Sequence, residues 1–139
     1  MVVSKFIPPK LDLKGKKTLE LPFMANILAN TWLQLNSSRI MYPFRILGAK
    51  MIFDERANYN IDHYWILSPN RSESTTGVAS GTNIFSRELE TGYIRGSSRV
   101  RHIETVLEVA GGNVYIILST ENRNPWAYDI DASLIIQEI

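Results

Sequence analysis

At 139 residues and 15.8 kDa the chain has room for one domain, with at most an arm beside it. A composition that is 45% hydrophobic and 21% charged excludes disorder and coiled coil, and zero cysteines exclude disulfides, thiolate zinc sites and cysteine nucleophiles. The net charge of +1 is unevenly spread, because residues 1–17 hold five lysines against the single acid Asp12, and the other residues are net acidic.

From the N-terminus, Pro8-Pro9 breaks any early element, and Leu11/Leu13 and Leu19/Leu21/Phe23 form two short alternating runs around Gly15-Lys16. The stretch after Lys5 is rich in Pro and Lys, so no secretory h-region is expected. Met24–Asn30 reads as one helical turn or a loop, and Trp32, Leu33 and Leu35 begin a short strand ended by Asn36-Ser37-Ser38. In 43–54, Leu47, Ala49, Met51 and Phe53 alternate with Ile46, Gly48, Lys50 and Ile52. Both faces are apolar there, which predicts a central strand. Residues 59–67 place Tyr59, Ile61, His63, Trp65 and Leu67 on one face, with Glu55–Asn58 read as a hairpin connection between the two runs.

The stretch 68–82 is polar, Gly- and Ser-rich and aperiodic, which predicts a functional or mobile loop, and Ile84–Glu90 could be helical. Ile103, Thr105, Leu107 and Val109 alternate with His102, Glu104 and Glu108. Val114, Ile116 and Leu118 follow, and Gly111-Gly112 between the runs predicts a tight hairpin with positive φ. At the C-terminal end Tyr128, Ile130, Ala132, Leu134 and Ile136 share one face and Asp129, Asp131, Ser133 and Gln137 the other, a half-buried antiparallel strand. Eight or nine short strands and no long helical period give an all-β fold: an antiparallel β-sandwich, jelly-roll-like, with an extended N-terminal arm. The boundaries are 1–24 for the arm and 25–139 for the sandwich. The longest apolar runs are far short of the ~20 residues of a membrane helix, so no membrane is expected.

Residues suited to catalysis are sparse. His63 lies between Ile61 and Trp65 and reads as a hydrogen-bonded core histidine; His102 reads as a surface one. No Gly-x-Ser-x-Gly stretch offers a nucleophile elbow. The carboxylate pairs Asp54/Glu55, Glu88/Glu90, Glu104/Glu108 and Asp129/Asp131 suit solvated faces better than glycoside hydrolysis. Two histidines and the irregular Asp54–Asp62 oxygen cluster give no metal-ligand spacing, and no phosphate cradle occurs, so neither metal nor cofactor is expected. Arg87, Arg95, Arg99 and Arg101 form the basic cluster of the folded part; ion pairing accounts for it better than nucleic acid, which is not an expected partner. Trp126, with Arg123 and Asn124 in the Asn122–Trp126 loop, is the best candidate ring for a ligand or partner contact.

The run Tyr42-Pro43-Phe44-Arg45-Ile46-Leu47-Gly48, the polar loop after it, and Ala110-Gly111-Gly112-Asn113-Val114 before the last strands resemble the small β-sandwich proteins of tailed-phage virions. These include head decoration (cement) proteins and the heads of short fibres. The resemblance implies a homotrimer in the virion, assembled in the host cytoplasm, without cofactor or catalysis, and it carries no fixed site residues.

The arm argues for assembly on its own chemistry. Val2, Val3, Phe6, Ile7, Leu11 and Leu13 are too apolar for a lone solvated tail, and its lysines suit an acidic neighbour. The expected function is therefore a non-enzymatic decoration protein that binds the major capsid protein or other virion proteins. Phe6, Ile7, Leu11 and Leu13 would dock the arm, and Lys14, Lys16 and Lys17 would match charge. The alternative is a fibre or receptor-binding domain that recognises a surface glycan through Trp126 and the 68–82 loop.

Overall fold

The computed structural model describes residues 17–54, 60–86, 89, 91–97 and 99–139. Nine strands are found among them: β1 (Thr18–Ile27), β2 (Thr31–Asn36), β3 (Phe44–Ile52), β4 (Ile61–Ser68), β5 (Thr82–Asn83), β6 (Ile94–Arg95), β7 (Val100–Val109), β8 (Tyr115–Asn122) and β9 (Tyr128–Glu138). They form two antiparallel sheets. Sheet A runs β1-β9-β3-β7; sheet B runs β2-β8-β4-β5, with β6 also paired to β4.

The pairing is nested. β1 pairs with β9, β2 with β8, β3 with β7 and β4 with β6, so the first four strands run against the last four as one long ribbon folded over a common core. The additional pairs β3·β9 and β4·β8 knit the ribbon into its two sheets.

This order overturns both expected hairpins. β3 lies in sheet A and β4 in sheet B, so the connection read at Glu55–Asn58 does not join paired strands; those residues lie outside the described ones. β7 and β8 likewise lie in opposite sheets, and Gly111-Gly112 turns the chain from one sheet to the other. The φ values of 91° and 77° are positive as expected, and Asn113 follows at 51°. A Cβ on Gly111 would stand 2.4 Å from the Tyr42 carbonyl carbon, so the glycine also permits a close backbone crossing.

Two further expectations change. Residues 24–27 continue β1 and form no helical turn or loop. Residues 84–86 form a turn beyond which the Leu89 N–H donates to the Phe85 carbonyl at 2.9 Å, and the rest of the expected helical stretch, 87, 88 and 90, lies outside the described residues. The expected arm boundary at 24/25 falls inside β1, whose residues from Thr18 onward pair with β9.

The core lies between the sheets. Phe23 of sheet A meets Trp65 of sheet B edge to face at 5.1 Å, and Phe44, Ile46, Met51, Leu134 and Ile136 are buried opposite Ile61, Ile116 and Leu118. Alternation predicted these faces, except in β3. There the register shifts between Ile46 and Gly48, and Ile46 joins Ala49 and Met51 in the core. A bulge adds one residue and so reverses the phase of everything before it. On β9 the expected wet face closes at its end, where Gln137 is buried and accepts a hydrogen bond from Arg45 Nη1 at 2.9 Å.

The polar stretch 69–81 is pinned across the outer face of sheet B. Gln34 Nε2 donates to the Gly77 carbonyl at 2.7 Å, Asn36 exchanges two bonds with Ser72, and the Ala79 N–H donates to Ser119 Oγ at 3.0 Å. Ala79 is thereby buried on Ile66 and Ile117.

Candidate functional site

The other half of sheet B's outer face carries its charged and aromatic side chains. Strand register lines up Trp32 of β2, Glu121 of β8, Asp62 of β4 and Arg95 of β6 in one row across four strands. Alternation aims all four outward, and yet the Asp62 side chain is only 3% exposed. Two guanidinium groups cover it. Arg95 donates to Asp62 through Nε at 3.0 Å and Nη2 at 3.4 Å, and Arg123 donates through Nη1 at 2.5 Å. Arg123 also reaches Glu121 at 3.0 Å. The hydrogen bond to Asp62 holds both guanidinium groups more firmly protonated than usual.

Rings lie beside this bracket. Trp32 and Tyr64 are 5.9 Å apart between centroids, Tyr64 and Tyr93 are 5.4 Å apart, and Arg95 stacks 5.0 Å over Tyr93 while donating to its hydroxyl. Burial, reinforced by Asp62 and Glu121, pushes the Tyr64 hydroxyl above its ordinary pKa. The bracket has two positive and two negative groups, so its charge is spent internally. It stiffens the face and offers contact by hydrogen bonding and stacking.

Among the residues expected from sequence, Arg123 belongs to this bracket. Asn124 is fully buried: its carbonyl accepts from the Asn30 N–H at 3.1 Å and its Oδ1 from Asn60 at 3.3 Å. Trp126 is 37% exposed at the end of the sandwich. Arg123 and Asn124 therefore hold the loop in place, and Trp126 is the one of the three that shows a ring at the surface. Sequence reasoning missed Asn122, whose buried amide donates to the carbonyls of Ile27, Leu28 and Trp126 and fastens three segments together. An Asn at the end of an apolar strand was the available signal.

Lys17 is exposed, and its carbonyl accepts from the Glu138 N–H at 3.0 Å. Phe6, Ile7, Leu11, Leu13, Lys14 and Lys16 lie outside the described residues, as do Glu55, Arg87, Glu88 and Glu90. Of the arginine cluster, Arg95 is ion-paired as expected, and Arg101 donates to the Arg95 carbonyl. Glu104, Glu108 and Asp129 are exposed, and Asp129 accepts from Asn26 at 2.9 Å.

His63 is buried, stacks on Phe53 at 5.1 Å and shares a 2.9 Å hydrogen bond with Thr120 Oγ1. Desolvation lowers its pKa to about 3 against the opposing pull of Asp62. It is a neutral core histidine, as the sequence suggested. His102 is exposed. Among the described residues no group of three or more His, Asp or Glu could hold a metal ion, and no helix is long and apolar enough to cross a membrane.

Fold and face together define an antiparallel two-sheet β-sandwich with a stiffened outer surface on its five-stranded sheet. Compared with protein-family models, curated proteins and solved structures, the chain matches none.

Proposed function

We propose that this chain is a non-enzymatic structural protein of a tailed-phage virion, a jelly-roll decoration protein that binds neighbouring capsid subunits and acts as a homotrimer. The observation that carries this reading is the nested strand order: β1, β3, β7 and β9 in one sheet, and β2, β4, β6 and β8 in the other. A long antiparallel ribbon wrapped into two sheets in this way is a frame that capsid proteins share with lectin domains and cupins. The titratable groups in the interior serve packing, since His63 is neutral and Asp62 is covered by two arginines.

A contact surface for assembly lies on the outer face of sheet A. Register places Met24 (67% exposed), Asp131, Ile52 (38%) and Val100 (41%) in one row across its four strands. Three large apolar side chains in one row suit burial against a neighbouring subunit. The arm supplies a second contact through the apolar and lysine residues read from the sequence.

Light scattering at two concentrations tests the assembly. The wild-type chain is expected to be a trimer at both, and a Met24→Asp/Ile52→Asp double variant, altered only at exposed positions, is expected to fold and dissociate. A wild-type monomer at both concentrations would remove the trimer, and an unchanged mass for the double variant would remove this face from its interface.

A further inference from the structure

We infer that the groove between Arg39 and Arg71 binds the acidic group, carboxylate or sulfate, of a glycan. The groove is an open surface hollow of about 610 Å³, lined by Arg39, Pro69, Asn70, Arg71, Asn113 and Tyr115, with both arginines exposed. It sits at the end of the sandwich where the chain crosses from β7 to β8, away from the Trp126 loop.

No carboxylate lines it, and Arg39 sets its charge. Arg39 enters no ion pair among the described residues. Its Nε donates to the Tyr115 hydroxyl at 3.2 Å and its Nη1 to Asn113 Oδ1 at 3.4 Å. Both acceptors are neutral, so they orient the fork and leave its charge uncompensated. That placement is built in by the backbone. Asn113 takes a left-handed φ of 51° at the end of the Gly111-Gly112 crossing, and the Ile40 N–H donates to the Val114 carbonyl at 2.8 Å, which locks Arg39 beside it. Arg71 adds a second guanidinium fork, whose Nε is ion-paired at 3.3 Å with Glu73, an 81% exposed residue outside the groove lining.

A planar fork held by neutral partners is a ready receptor for an oxyanion. The amides of Asn70 and Asn113 and the Tyr115 hydroxyl stand beside it. An inorganic ion would leave those groups unused, whereas sugar hydroxyls adjoining an acidic substituent would pair with them. The inference stands on the groove alone and is independent of the assembly reading.

Calorimetric titration of the full chain with four probes tests it: hyaluronan hexasaccharide, heparin hexasaccharide, neutral chitohexaose and inorganic phosphate. At least one acidic hexasaccharide is expected to bind, and chitohexaose is expected not to. Arg39→Gln should weaken that binding about tenfold, the scale of losing charge-assisted hydrogen bonds. Arg71→Gln should weaken it several-fold, and Arg101→Gln, at the other end of β7, should leave it unchanged. Binding of phosphate alone, binding of chitohexaose equal to that of the acidic probes, or no binding at all would overturn the inference. So would wild-type affinity in the Arg39→Gln protein. Should that variant fail to fold, the exposed Arg71→Gln variant decides the matter by the same comparison.

Discussion

His63 makes the stability of the sandwich depend on pH in a calculable way. In the unfolded chain its imidazole titrates near 6.5, whereas burial in the folded chain lowers this to about 3. The unfolded state therefore takes up the proton first as pH falls. Stability is complete above pH 6.5 and drains away between 6.5 and 3. At 1.36 kcal/mol per pH unit, and allowing for partial protonation near 6.5, this one group removes about 2 kcal/mol between pH 7 and pH 5. For a domain whose whole stability is on the order of 5–15 kcal/mol, that is a sizeable share. Urea denaturation at the two pH values, on wild type and His63→Gln, measures it. The variant sits lower at pH 7 because it disturbs the Phe53 stack and the Thr120 hydrogen bond, so the readout is the change with pH. Wild type should lose about 2 kcal/mol more than the variant over this interval. Equal losses would refute the argument, as would a His63 imidazole resonance, identified by its absence from the His63→Gln spectrum, that titrates near 6.5 in the folded protein.

Other substitutions test other parts of the fold. Gly111→Ala places a methyl group 2.4–2.7 Å from the Tyr42–Pro43 backbone at φ +91° and should cost more than about 2 kcal/mol in thermal or urea unfolding, whereas Gly112→Ala, at φ +77° with nothing within 4 Å, should cost about 1 kcal/mol. Equal costs would show that the crossing is not close-packed. Asp62→Asn leaves two guanidinium groups facing a neutral amide and should destabilise by about 2 kcal/mol in urea denaturation. This is less than the ~3–5 kcal/mol of a wholly buried pair, because the Arg95 and Arg123 side chains are 44% and 34% exposed and regain water. Glu73→Gln, at an 81% exposed partner, should stay within about 0.5 kcal/mol, and a larger effect there would undo the distinction between the two sites.

Some of this architecture was legible in the sequence because side-chain alternation is a local property. A strand with Tyr128, Ile130, Ala132, Leu134 and Ile136 on one face has only one way to face a core, and those five residues do so. The positive φ at Gly111-Gly112 was legible for the same local reason, as was the core place of His63 between Ile61 and Trp65. Alternation assigns faces and leaves partners open. The residues before and after Gly111-Gly112 looked like hairpin arms, but the ribbon pairs β7 with β3 and β8 with β2 and β4, so the same turn became a crossing between sheets. The candidate face was hidden for a related reason. Asp62 reads as an ordinary outward carboxylate, and it is buried only because Arg95 and Arg123, 33 and 61 residues further along, are brought over it by β6 and β8. The Arg39 groove depends likewise on Asn113 and Tyr115, more than 70 residues away. The sequence by itself determined which side chains face the core wherever a strand keeps its phase, as over Tyr128–Ile136, since that follows from a period of two, and the bulge in β3 escaped it. Only the tertiary structure decided which strands meet, and with them which charges, rings and amides share a surface, since those contacts form between distant parts of the chain when the ribbon closes.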